Sequence, residues 1–110
     1  MEIVNIEKSG TMVVTVSGRL DAVTAPDLEK NLTTILEQNH LKIIVNMAGL
    51  TYISSAGLRC ILSASKKLSS KRGKLMLTMV QGMVKEVFQM AGLYDLLTVY
   101  SSDEEALGVG

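Results

Sequence analysis

Two adjacent hydroxyls, Ser54 and Ser55, lie within Thr51-Tyr52-Ile53-Ser54-Ser55-Ala56-Gly57-Leu58. An apolar, strand-like run precedes them and a segment of helical periodicity follows, so they fall where a strand turns into a helix. The first N–H groups of a helix have no acceptor within it, and the aligned peptide dipoles add partial positive charge there. Such a place accommodates a phosphate, whether as a ligand or as phosphoserine. One serine can cap the helix while its neighbour faces solvent as a phosphoacceptor. Gly57, in the first helical turn, costs about 1 kcal/mol relative to alanine, which points to close approach by another chain.

Nucleophilic catalysis at Ser55 would need a base within hydrogen-bond reach. The sole histidine, His40, is expected at the opposite end of the sheet, roughly 20 Å away by strand rise. Lys66 and Lys67 lie about three turns along the helix, and the turn lacks a G-x-S-x-G elbow. The single cysteine, Cys60, supplies neither an internal disulfide nor a metal cluster and reads as a core or boundary group. No catalytic residue, metal site or cofactor loop is predicted.

The elements that position these residues follow from hydrophobic periodicity. Met1 to Ile6 and Thr11 to Ser17 are β-prone and predict an antiparallel hairpin around Lys8-Ser9-Gly10. Gly18-Arg19-Leu20-Asp21 then leads out of the strand. A helix is predicted from about Thr24, as N-cap, to Gln38, with Pro26 and Asp27 in its first turn. Its buried stripe is Ala25, Leu28, Leu32, Ile35 and Leu36.

Leu41 to Met47 is almost continuously apolar, as in a parallel strand covered on both faces. The next helix runs from Ser55 to about Ser70 with Leu58, Ile61, Leu62, Ser65 and Leu68 on one face. Lys71-Arg72-Gly73 supplies a basic end and a terminating glycine. Lys74 to Met79 is a further buried strand. A third helix follows Gln81-Gly82, with a stripe of Met83, Val84, Val87, Phe88 and Ala91, and ends at Gly92. Leu97 to Tyr100 is the last strand. Ser102-x-x-Glu105 has the capping-box pattern of a short final helix, before a frayed Gly108-Val109-Gly110 tail.

The order β-β-α-β-α-β-α-β-α predicts an α/β domain: a mixed sheet of four to five strands flanked by about four helices, over residues 1–110 as one unit. Crossover helices make their flanking strands parallel, so the loops that follow those strands share one end of the sheet. Ligand and partner sites gather at such carboxyl ends. Asp21, Thr24, Ser54, Ser55, Gly57, Leu58 and Gln81 are therefore the candidate partner-binding residues.

Composition narrows the function. Eleven basic residues balance eleven acidic ones, which argues against a nucleic-acid-coating or polybasic membrane-binding surface. No Trp, one Phe and three Tyr leave little for base stacking. No apolar run approaches the roughly 20 residues that span a bilayer, and the N-terminus lacks a signal-peptide pattern. The expected location is the cytoplasm.

Gly18-Arg19-Leu20-Asp21, then Asn46-Met47, then Tyr52-Ile53-Ser54-Ser55-Ala56-Gly57-Leu58, and finally Met90-Ala91-Gly92-Leu93 resemble the landmarks of the anti-sigma factor antagonists in the STAS domain family. The resemblance covers essentially the whole chain. It implies a SpoIIAA-like fold and a partner that is an anti-sigma factor and ATP-dependent serine kinase, whose capture releases a sigma factor. It also implies phosphorylation of Ser55, two residues before the motif glycine, with Ser54 as a rival acceptor, and a serine phosphatase that reverses it. Asp21 matches the family's acidic residue near the acceptor. Ser54 stands where the family commonly has Asp, and Ala56 where it commonly has Ser or Thr. The alternatives are an unphosphorylated STAS scaffold in a signalling assembly, and a nucleotide- or anion-binding sensor that uses the same helix start.

Overall fold

The computed structural model describes residues 1–109. Its strands are β1 (Glu2–Lys8), β2 (Thr11–Leu20), β3 (Lys42–Ile53), β4 (Lys74–Thr78) and β5 (Thr98–Tyr100). The helices are α1 (Ala25–Glu37), α2 (Ser55–Ser70), α3 (Gly82–Met90) and α4 (Asp103–Val109), with a 3-10 turn at Leu93–Asp95. The expected frayed tail is thus helical through Val109, while Gly110 lies outside the described residues.

The five strands form one sheet in the order β1-β2-β3-β4-β5, antiparallel between β1 and β2 and parallel thereafter. Right-handed crossovers between successive parallel neighbours place their helices on the same face. Accordingly Leu28, Leu32, Ile61, Val84 and Phe88 from α1, α2 and α3 share a core with Val14, Val45 and Leu77 of the sheet. The opposite face has a small separate cluster, Val13, Ile44, Met76 and Ala106, covered by α4. Asp103 pins that helix: its carboxylate accepts from the Asn46 side-chain amide and from the Thr78 hydroxyl. Ser102 caps it by accepting from the Glu105 N–H at 3.1 Å, but the Glu105 carboxylate bonds to Ser101 rather than closing the box on Ser102.

Both strands that lead to the serine pair run further than alternation alone predicts: β2 reaches Leu20 and β3 reaches Ile53. The pairing of β2 with β3 shifts register between Thr15 and Ser17 and again between Gly18 and Arg19. Each shift inserts one extra residue on β3, and each flips the inward face. Met47, Leu50 and Ile53 are therefore all buried, although three-residue spacing would alternate between faces in a regular strand.

Three helix readings need correction. On α2 the buried residues are Gly57, Cys60, Ile61 and Leu68, with Leu58, Leu62 and Ser65 half-buried, because the helix packs on α1 as well as on the sheet. On the short α3 only Val84 and Phe88 are fully buried, while Met83 and Ala91 are exposed. At the end of α2 the left-handed residue is Arg72, with φ of 63°, and not Gly73. Gly73 serves packing instead, since a Cβ there would stand 2.5 Å from the Leu41 carbonyl oxygen and 2.9 Å from Leu68 Cδ2.

Candidate functional site

The last register pair between β2 and β3 is Leu20 with Ile53. One residue beyond it, Asp21 and Ser54 emerge side by side at the carboxyl end of the sheet. The Ser54 N–H donates to the Leu20 carbonyl at 2.9 Å, which fastens the two loops together.

The two serines divide their work. Ser54 is the N-cap of α2, in extended conformation, and its hydroxyl oxygen accepts from the Gly57 N–H at 3.3 Å. Ser55, the first helical residue, is exposed. The first turn of α2 holds no acidic side chain of its own to offset the positive end of its dipole. The arrangement leaves an accessible hydroxyl at an electropositive helix start.

Asp21 organises the neighbouring loop. Its Oδ1 accepts from the N–H groups of Val23 at 3.0 Å and Thr24 at 3.1 Å, and its own carbonyl accepts from the Ala25 N–H at 2.8 Å. These hydrogen bonds, first of all that from the Thr24 backbone, hold the Asp21 carboxyl below its usual pKa and keep it ionised. Its Oδ2 stands 3.9 Å from Arg19 Nε, and the Arg19 guanidinium lies 4.1 Å above the Tyr52 ring. Thr24 occupies the cap position of α1 as expected, but its hydroxyl makes no cap. It donates to the Arg19 carbonyl at 2.8 Å and accepts from the Asp21 N–H at 2.9 Å, bracing the loop from behind.

Gly57 is buried, and the crowding it relieves is intramolecular. A Cβ there would meet Leu20 Cγ at 2.8 Å, Ile53 Cγ1 at 2.9 Å and the Leu20 carbonyl oxygen at 3.0 Å. Its glycine is thus explained by α2 pressing on the ends of β2 and β3, not by another chain. Leu58 is half-buried against the core, with part of its side chain accessible.

Gln81 stands apart from this corner. It is exposed, and its side-chain amide donates to the Ala48 carbonyl at 2.7 Å. Strand β4 ends opposite Asn46, so β3 continues for several residues beyond it. Ala48 precedes Ser54 by six positions, on the order of 20 Å of extended strand. Gln81 therefore shares the end of the sheet but not the surface of the serine pair.

Two features of the corner escaped sequence reasoning. Val23, between Asp21 and Thr24, is 83% exposed, an apolar side chain offered to solvent beside the serine pair. Its signal is visible in retrospect: it falls off the Ala25-Leu28-Leu32 stripe, so α1 has no place to bury it. The second feature is a shallow groove between α1 and α2, lined by Ala22, Pro26, Glu29, Ala56 and Arg59. Cys60 forms part of its floor, and burial pushes its thiol up to about 11, leaving it protonated at neutral pH. His40 stands before β3, at the far end of that strand from Ser54. Among the described residues there is no His, Cys, Asp and Glu cluster able to hold a metal ion. Nor is any described helix long and apolar enough to cross a membrane.

A sheet in chain order, three helices on one face, and a serine pair beside an ionised aspartate define a small α/β domain. The profile of the STAS domain matches residues 2–106, and the chain belongs to that family. It is similar to the anti-sigma-B factor antagonist of Staphylococcus aureus, at 32% identity over 91 residues, covering 83% of this chain and 84% of that protein. Among solved structures, an anti-sigma factor antagonist from Mycobacterium paratuberculosis superposes with a TM-score of 0.89 at 22% identity, covering 98% of this chain and 92% of that one. The phosphorylated form of the Bacillus cell fate determinant SpoIIAA superposes with a TM-score of 0.75 at 23% identity, covering 97% of each chain. These superpositions agree with the SpoIIAA-like fold expected from the sequence.

Proposed function

We propose that this protein is an anti-sigma factor antagonist: it binds an anti-sigma factor at the Asp21–Ser55 corner and so frees a sigma factor. In this reading it is a regulator, not an enzyme, and works in the cytoplasm without a cofactor. Its surface requires no nucleic acid or membrane. The partner's own kinase activity phosphorylates Ser55, and a serine phosphatase restores the hydroxyl. The observation that carries the switch is the division between the serines: the Ser54 hydroxyl is engaged in the cap, while Ser55 is exposed at the helix start.

A phosphate at Ser55 adds roughly −1.5 to −2 charge at neutral pH. The dipole of α2 and its acid-free first turn tolerate that charge, so the domain stays folded. The cost falls on docking. A phosphate enclosed against a partner beside ionised Asp21 loses its hydration and meets a like charge, and each 1.4 kcal/mol lost is tenfold in affinity. Exposed Val23 and the α1–α2 groove supply the apolar and small-residue contact area that such a partner would cover.

The test is incubation with the cognate anti-sigma kinase and ATP, followed by mapping of the modified residue and titration of the kinase with each form. The expected results are phosphate on Ser55, retained binding by Ser55→Ala, and binding weakened at least tenfold by phosphorylation. Phosphate on Ser54 instead, or undiminished binding by the phosphorylated protein, would overturn the switch.

A further inference from the structure

Among the described residues, strand β1 forms one edge of the sheet, with β2 as its only strand neighbour. Six of its seven residues are exposed, and Val4 and Ile6 each retain 49% of their surface in solvent. Their register partners in β2 are Thr15 and Val13, so both project on the α4 side of the sheet. An edge of this length presents unpaired backbone groups and is a template for another strand.

Reversed against a second copy, the α4-side residues of β1 (Glu2, Val4, Ile6 and Lys8) are complementary to themselves, whereas on the α1 side Ile3 falls opposite Glu7. Antiparallel pairing about Asn5 sets Glu2 opposite Lys8 of a second copy, and Lys8 opposite its Glu2. It also sets Val4 opposite Ile6 and Ile6 opposite Val4, on the same face, giving a continuous strip of four apolar side chains. A shift by two residues in either direction breaks both charge pairs, and a shift by one would set opposite faces against each other. Asn5 does not obstruct the axis: its side-chain amide is held in reciprocal hydrogen bonds of 2.8 and 3.0 Å with Asn31 of α1.

From this complementarity we infer that two copies of the chain associate through β1, antiparallel about Asn5, to form one continuous ten-stranded sheet. The contact area of one strand pair is small, so the dimer is weak and concentration-dependent. The serine corner lies at the end of β2 and β3, outside this edge, so the inference stands independently of the proposed function.

Sedimentation equilibrium over a concentration series, with the whole chain, tests it. The parent should show a reversible monomer–dimer equilibrium. Lys8→Glu opposes carboxylates at both ends of the pair and should weaken the dimer roughly tenfold, since cross-strand charge pairs act symmetrically twice. Glu2→Lys should weaken it similarly, and the double exchange Glu2→Lys/Lys8→Glu should restore it. All these positions are exposed, and circular dichroism should show unchanged folding. A parent that stays monomeric up to its solubility limit overturns the inference, whether or not another protein's strand binds that edge. So does a dimer indifferent to the charge exchange, or one abolished only by Leu96→Glu at a separate exposed apolar site.

Discussion

The Ser54 N–H donates to the Leu20 carbonyl oxygen at 2.9 Å, continuing the β2–β3 pairing one step past its last register pair. Through that bond the capping residue of α2 is fixed to the strand that delivers Asp21. That backbone bond adds to the Asp21, Thr24 and Ser54 side-chain bonds that hold the corner, and Ser55 is left exposed.

The two serines should separate cleanly in stability. Ser54→Ala removes the cap on the Gly57 N–H and should destabilise the domain by about 1 kcal/mol in urea unfolding. Ser55→Ala should stay within about 0.5 kcal/mol of the parent, as an exposed substitution without a structural bond. Equal losses at both positions would contradict this division of roles.

Asp21 sets a pH dependence. Its folded pKa lies below the ordinary aspartate value of 3.8, so its stabilising effect is complete above that value and is lost as pH falls through the folded pKa. Asp21→Asn should therefore be less stable than the parent at pH 6, with the gap closing below about pH 3.8. A gap that persisted unchanged at pH 2 would show that the carboxylate's charge is irrelevant.

Gly57→Ala tests whether the glycine answers to its own fold. Helix propensity alone favours alanine by about 1 kcal/mol. The collision with Leu20 and Ile53 should reverse the sign and destabilise the domain by about 1–3 kcal/mol. A stabilised variant would return the explanation to a docking partner.

At the end of α2, Arg72→Gly should stabilise by about 0.5–1 kcal/mol by relieving left-handed backbone at a side-chain-bearing residue. Gly73→Ala should do the opposite, because its Cβ would collide with the Leu41 carbonyl. Thermal unfolding of the two variants against the parent distinguishes them by sign.

Much of this architecture was legible in the sequence. The α1 stripe of Ala25, Leu28, Leu32, Ile35 and Leu36 is buried as a set, because one amphipathic helix on one sheet obeys a single period. The hairpin and the parallel run from β2 to β5 followed from alternation and crossover geometry. The far half of β3 did not follow, since its two register shifts erase the period-two pattern between Met47 and Ile53. Thr24 looked like a cap because residue type cannot tell whether a hydroxyl turns toward its helix or back toward Arg19. Nor does the residue pattern show how far Gln81 lies from the serines, since that distance depends on β3 outrunning β4.

Because the sheet is laid down in chain order, each strand finds its neighbour already in place when it arrives. Each parallel pairing joins strands consecutive in the chain through one crossover helix, so no pairing waits on a later segment. Everything that builds the Asp21–Ser55 corner, down to Gly57 beneath it, precedes β4 in the polypeptide. A chain emerging from the ribosome has therefore made every residue of this corner before β4 is synthesised.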